Sequence, residues 1–96
     1  MSTVQSRTQT AQVTCINKPN RDSSEEAITD IGGNGWKLTV LDAIRKIENS
    51  EWTFYTLVNG KRAGVGVRTS TSGRKYLQTH ADGYWNNNLL ALAECP

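Results

Sequence analysis

Asn59-Gly60, set between two runs of alternating apolar residues, constrains the fold of this chain more than any other feature. A two-residue turn of this kind needs positive φ at both central positions, which Asn and Gly tolerate, so the pair predicts a tight β-hairpin. The predicted register sets Tyr55 opposite Gly64. A second turn at residues 71–73, which ends in glycine, extends the hairpin into a three-stranded antiparallel meander over residues 52–81.

Because side chains alternate across a strand, the predicted meander has two chemically different faces. The second turn pairs Val67 with Leu77 and Arg68 with Tyr76. One face is apolar and carries Trp52, Phe54, Val65, Val67 and Leu77. The other face is basic and aromatic and carries Tyr55, Arg62, Gly64, Gly66, Arg68, Arg74, Tyr76 and Gln78. The two glycines leave a flat strip on this second face, which an aromatic ring or a ligand could approach closely.

The positive charge is concentrated in the meander. Residues 52–81 contain five of the eleven Lys and Arg residues and no Asp or Glu, although the formal net charge of the chain is only +2. Six of the nine acidic residues precede Ser50. This asymmetry favours a local anion-binding site over general coating of DNA.

The rest of the chain predicts two more strands and one helix. Residues 11–16 and 26–31 read as strands, and the glycine-rich residues 32–35 as a plain loop. Thr39 and Asp42 match a capping box, which predicts a helix over residues 40–49 with its apolar stripe on the meander. The stripe consists of Val40, Leu41, Ile44 and Ile47.

The predicted fold class is therefore a small single α+β domain over residues 11–96, in the order β-β-α-β-β-β. One helix packs on a twisted antiparallel sheet or a partly open barrel. Residues 1–10 are polar and predict a disordered tail.

Several function classes find no support in the sequence. A run of 18 apolar residues and a signal peptide are both absent, which predicts a cytoplasmic protein without a membrane partner. Cys15 and Cys95 are expected to be buried thiols, with a disulfide as the alternative. No metal-ligand spacing or cofactor motif occurs, and the single histidine, His80, is expected to be merely solvated. The sequence thus predicts neither an enzyme nor a metal site.

The segment after the meander, residues 82–88, combines a turn with two aromatic and three Asn side chains. Tyr84, Trp85 and Asn87 could border the basic face and recognise a base edge or a ribose. Alternatively, the Asn side chains satisfy backbone groups in a tight loop while the leucines that follow enter the core.

Several segments resemble one protein family: TCINKP, ITDIGG, a helix led by W-x-L, EWTFYTLVNGKR, RKYLQTHADG and NNLLALAEC. Together, over about residues 13–96, they are similar to an uncharacterised bacterial and phage family, the domain of unknown function 3892. Its most specific segment, D-G-x-x-x-N-N-L-L-x-L-x-x-C, corresponds to residues 82–95. The family often has Pro before the Glu-Cys, where this chain has Ala93. The resemblance implies a small α+β domain with no assigned activity and supplies no catalytic residues.

These features predict a non-enzymatic protein that binds an anionic, nucleotide-type ligand and could sequester a nucleotide signal. The candidate ligand-binding residues are Tyr55, Arg62, Arg68, Arg74, Tyr76, Tyr84, Trp85 and Asn87. In this interpretation arginines hold phosphates and aromatic rings stack on bases. The alternatives are single-stranded nucleic-acid binding, an inhibitor or adaptor that contacts an acidic protein, or a merely solvated sheet face. Each of these interpretations is compatible with a homo-oligomer.

Overall fold

Two β-sheets and one α-helix make up the computed structural model, which describes residues 8–20 and 23–95. The helix, α1, spans Val40–Glu48, and 3-10 turns span Glu25–Ala27 and Asn88–Ala91. The strands are β1 Gln9–Gln12, β2 Cys15–Asn17, β3 Asp30–Gly33, β4 Trp36–Thr39, β5 Trp52–Val58, β6 Lys61–Thr69, β7 Lys75–Ala81, β8 Tyr84–Asn86 and β9 Ala93–Glu94. The predicted small α+β fold is confirmed.

The larger sheet has the strand order β1-β5-β6-β7-β8, and the smaller has the order β4-β3-β2-β9. Neighbouring strands are antiparallel, except that β1 is parallel to β5 and β2 is parallel to β9. The sheets do not close into a barrel, and the core lies between them and α1. The buried core consists of Val13, Ile16, Ile28, Ile31, Val40, Ala43, Ile44, Phe54, Val65, Leu77 and Leu89.

The predicted meander is confirmed with its register. Tyr55 pairs with Gly64 across the first hairpin, and Arg68 pairs with Tyr76 across the second. Asn59 and Gly60 have φ of 53° and 77°, as the two-residue turn requires. The residues of the two turns were therefore sufficient to predict the register of all three strands.

The predicted first strand is wrong in extent, because residues 9–17 form two strands in different sheets. The chain changes sheets at Val13, whose N–H donates to Tyr55 O at 2.7 Å, and the next N–H, of Thr14, donates to Gly32 O at 2.8 Å. β1 begins at Gln9, two residues before the predicted start of the domain at residue 11. Residues 1–7 of the predicted tail lie outside the described residues.

The predicted loop at residues 32–35 is also wrong. Gly32 and Gly33 belong to β3, only Asn34 and Gly35 form the turn, and the unpredicted strand β4 follows. A Cβ on Gly32 would lie 2.9 Å from Cys15 Sγ, and one on Gly33 would lie 2.4 Å from Trp36 Nε1. These glycines therefore serve close packing within a strand. The predicted strand at residues 26–31 is correspondingly displaced to β3.

The helix begins where the capping box predicts, since Thr39 Oγ1 accepts a hydrogen bond from the Asp42 N–H at 3.1 Å. One residue of the predicted apolar stripe is wrong: Leu41 is 68% exposed. Ala43 is buried in its place, because it lies three residues after Val40 on the side of α1 that faces the sheets.

The C-terminal segment returns to the smaller sheet through β9. Cys95 and Cys15 form a disulfide with a Cα–Cα distance of 4.8 Å, so the expectation of two free thiols is wrong. The Cys95 N–H donates to Ile16 O at 3.0 Å. Pairing of β9 with β2 thus brings together two cysteines that are 80 positions apart in the sequence.

Candidate ligand-binding face

The outer face of the larger sheet is the side turned away from α1 and the smaller sheet. It continues the basic and aromatic face of the meander across β8, because Trp85 pairs with His80. Its members are Tyr55, Leu57, Arg62, Gly64, Gly66, Arg68, Tyr76, Gln78, His80 and Trp85. Five of the eight predicted site residues therefore lie on one face, although one of them, Tyr76, also lines the groove described below: Tyr55, Arg62, Arg68, Tyr76 and Trp85.

Arg62 and Tyr55 form the first stack on this face. The guanidinium carbon of Arg62 lies 4.0 Å from the centroid of the Tyr55 ring. The contact is diagonal, because Arg62 pairs with Leu57 and Tyr55 pairs with Gly64. A cation over the face of an aromatic ring is attracted by the ring quadrupole, so the Tyr55 ring helps to hold this exposed arginine in place.

Arg68 and Trp85 form the second stack. The guanidinium carbon of Arg68 lies 4.7 Å from the Trp85 ring centroid, and Nη1 donates to Gln78 Oε1 at 2.9 Å. Trp85 remains 43% exposed. Arg68 is opposite Tyr76 in register, as expected, but its guanidinium contacts the tryptophan of β8.

The glycine strip lies beneath the protein's own rings. A Cβ on Gly66 would lie 3.0 Å from Cη2 of Trp85 and 3.2 Å from Cδ2 of His80, while one on Gly64 would lie 3.3 Å from Cε1 of His80. The His80 and Trp85 rings meet edge to face at 5.3 Å. His80 and Trp85 thus form an aromatic platform, which the two glycines allow to approach the backbone closely.

Gln78 connects the second stack to the C-terminal segment. Its Nε2 donates to Asn86 O at 3.1 Å and to Glu25 Oε2 at 3.3 Å, and lies 3.5 Å from Asn87 Oδ1. Asn87 therefore borders the outer face beside Gln78.

The neighbouring asparagines have structural roles. Buried Thr79 donates through Oγ1 to Asn86, and the Asn88 N–H donates to Thr79 Oγ1 at 3.1 Å. These contacts hold the corner between β8 and the second 3-10 turn. Asn86 Oδ1 also accepts from the Asn88 N–H at 3.0 Å, which matches the alternative in which Asn side chains satisfy local polar groups.

Arg74 and Tyr76 belong to a separate groove of about 300 Å³ at the edge of β7. The groove is lined by Glu26, Ile28, Thr29, Thr39, Val40, Leu41, Arg74, Lys75 and Tyr76. Lys75 Nζ is paired with Glu48 Oε2 at 2.5 Å. Tyr84 is 77% exposed and, by alternation, points to the opposite side of β8 from Trp85. The eight predicted residues are therefore not one continuous site.

Sequence reasoning missed three contributors. His80 is exposed, as expected, but its alternation with Tyr76 and Gln78 also places it on this face, where it packs against Trp85. Gln78 was assigned to the face but not to the site. Glu25 gave no sequence signal, because its contact with Gln78 joins residues 53 positions apart.

The remaining observations concern metal and membrane binding. Within residues 8–20 and 23–95, no three His, Cys, Asp or Glu side chains are grouped so that they could hold a metal ion. In the same ranges, no helix is long and apolar enough to cross a membrane.

A disulfide-linked α+β domain with an exposed arginine and aromatic face is the class of protein that this structure defines. Residues 12–93 match the model of one family, described as a protein of unknown function, DUF3892, so the chain belongs to this family. The resemblance of the sequence motifs to that family is thereby confirmed. Neither the curated proteins nor the solved structures contain a significant match.

Proposed function

We propose that the outer face binds nucleotides by stacking on their bases and pairing with their phosphates, and that its ligand is single-stranded nucleic acid. The observation that carries the proposal is the pair of guanidinium–ring stacks, each with one exposed and one half-buried partner: Arg62 with Tyr55, and Trp85 with Arg68. Single strands bind to positively charged surfaces that also offer aromatic rings for stacking. Both components occur here on one open sheet.

The shape of the face favours a strand over one free nucleotide. Small-molecule sites are usually concave, whereas the depression that reaches this face, of about 240 Å³ and lined by His80, Gly83, Tyr84 and Trp85, includes neither Arg62 nor Arg68. The two stacks extend from β5 to β8, which corresponds to three strand spacings or about 14 Å. Because Arg62 and Arg68 are also six residues, or about 20 Å, apart along β6, a ligand that contacts both stacks must run diagonally over the sheet.

The charges of the face support phosphate binding. Within the described residues, the ion pairs join Arg45 to Asp42 and Lys75 to Glu48. The guanidiniums of Arg62 and Arg68 have no such carboxylate partner there, so their remaining N–H groups can donate to phosphate oxygens. Binding through these two residues should weaken as salt concentration rises.

The proposed activity is binding and not catalysis. His80 packs edge-on against Trp85 and lies over the glycine strip, where it contributes to the stacking surface. A free nucleotide signal or an acidic protein remains the alternative ligand, and both are outcomes of the test below.

Replacing Arg62 and Arg68 together with Glu should weaken binding of a fluorescein-labelled decathymidylate at least about a hundredfold. Each charge-assisted hydrogen bond contributes about 1.5–3 kcal/mol, and each replacement also adds repulsion. Fluorescence anisotropy at several salt concentrations measures the effect. The slope of log affinity against log salt should become shallower by about 1.4, since each phosphate contact on a single strand contributes about 0.7.

Lys37→Glu is the matched control, because Lys37 is an exposed cation on β4 in the smaller sheet. It should leave binding nearly unchanged. Equal losses in the two variants would contradict a localised site. Tight binding of free nucleotides without binding of the oligonucleotide would indicate a small-molecule protein, and no binding of either would favour a protein partner.

A further inference from the structure

Glu25 places a carboxylate beside an otherwise basic face. Its Oε2 accepts from Gln78 Nε2 at 3.3 Å, Gln78 Oε1 accepts from Arg68 Nη1 at 2.9 Å, and Arg68 stacks on Trp85. These three consecutive contacts connect the first 3-10 turn to the Trp85 ring in β8. A carboxylate next to Arg68 reduces the attraction of the outer face for phosphate. Glu25 is therefore expected to have a role other than phosphate binding.

The groups around Gln78 present a defined pattern of donors and acceptors. Gln78 Nε2 donates to Asn86 and Glu25, which uses both of its N–H groups, and Gln78 Oε1 accepts from Arg68. Within the described residues, no hydrogen bond is made to Oε1 of Glu25 or by Nδ2 of the exposed Asn87. An ionised carboxylate only accepts hydrogen bonds, and an amide NH₂ only donates them. The edge beside Trp85 therefore offers acceptors from Glu25 and donors from Asn87 and Arg68.

We propose that this edge recognises guanine in the bound strand, with Glu25 as the residue that determines specificity. Guanine alone among the four bases has two adjacent donors, N1–H and N2–H₂, beside an acceptor, O6. A carboxylate can accept from both donors, while Asn87 Nδ2 or Arg68 donates to O6. Cytosine and adenine each offer one exocyclic amino group next to a ring nitrogen acceptor, which a carboxylate does not satisfy. Thymine offers one donor between two acceptors.

This inference rests on the proposed function, because the base must first be brought to the face by stacking and phosphate contacts. Trp85 provides the stacking surface at this end of the platform, and it is connected to Glu25 through Arg68 and Gln78. A base on the platform would thus present its edge toward the first 3-10 turn. A correct bidentate contact discriminates between bases by about five- to a hundredfold.

The test compares two fluorescein-labelled oligonucleotides of seven residues, one all thymidine and one with a central guanosine. The protein should bind the guanosine oligonucleotide about tenfold more tightly. Glu25→Gln should abolish this preference and should slightly raise affinity for the thymidine oligonucleotide, because a negative charge beside Arg68 has been removed. The Gln side chain retains an acceptor for Gln78, so the network beneath it is preserved. Replacing guanosine with inosine, which lacks N2, should remove most of the gain.

Glu26→Gln is the matched control, since the adjacent side chain lines the separate groove with Arg74 and Tyr76. It should keep the guanine preference. Salt-dependent binding of both oligonucleotides with equal affinity would overturn the guanine inference and leave the proposed function standing. Absence of binding to either oligonucleotide would instead overturn the proposed function, and the guanine inference with it. A preference that persists in Glu25→Gln would assign specificity to another residue.

Discussion

Ile44→Ala should lower the free energy of unfolding by about 2–5 kcal/mol, because it removes buried methylene and methyl groups from the helix–sheet contact. Ile44 is 4% exposed and belongs to the same core cluster as Phe54 and Leu77. The helix has only nine residues, so its stability depends on packing more than on propensity. Urea denaturation followed by circular dichroism measures the change.

Leu41→Ala is the matched control on the same helix, since Leu41 is 68% exposed. Its effect should stay within about 0.5 kcal/mol. Equal losses from the two substitutions would contradict the packing of α1 on the larger sheet, and a larger loss from Leu41→Ala would indicate that the helix is rotated.

Reducing the disulfide between Cys15 and Cys95 should lower the free energy of unfolding by about 2–5 kcal/mol. The two residues are separated by 80 positions, so the linkage restricts the unfolded chain over most of its length. In the folded state it also fastens β9 to β2. The measurement is urea denaturation with and without dithiothreitol.

The double variant Cys15→Ala, Cys95→Ala is the control, because dithiothreitol should then have no effect on the unfolding curve. The chain has no other cysteine, so a thiol assay of the oxidised, denatured protein should detect none. Two reactive thiols under air, or superimposable curves for oxidised and reduced protein, would show that the cysteines are not paired.

The elements that sequence reasoning predicted correctly are those encoded by adjacent residues. Asn59-Gly60 fixes the first hairpin through its own φ values, and Thr39 caps α1 through a contact with Asp42. Period-two alternation then assigns Phe54 and Leu77 to the core and Arg62 and Arg68 to the opposite side. Each of these inferences needs only a few neighbouring positions.

The errors occur where distant segments meet. The division of residues 9–17 into β1 and β2 depends on parallel pairing with β5 in one sheet and with β9 in the other. Neither pairing has a local turn to indicate it. The disulfide follows from the same long-range pairing, so spacing alone could not predict it.

The candidate face was partly predictable for the same reason. Alternation brought Tyr55, Arg62 and Arg68 together, but β8 and its pairing with His80 were missed, although Asp82-Gly83 is a two-residue hairpin signal and has the positive φ values that such a turn requires. The predicted site residues Arg74 and Tyr76 line another groove, since the strand edge and α1 approach each other there.

Chemical-shift mapping with unlabelled decathymidylate tests the central claim, that the outer face binds single strands, most directly. In spectra of ¹⁵N-labelled protein, the Trp85 indole N–H and the amides of Gly64 and Gly66 should shift with increasing oligonucleotide. The amide of Gly35, in the turn of the smaller sheet, should not move. Shifts confined to the smaller sheet or to the groove beside α1, with Trp85 unaffected, would contradict the account.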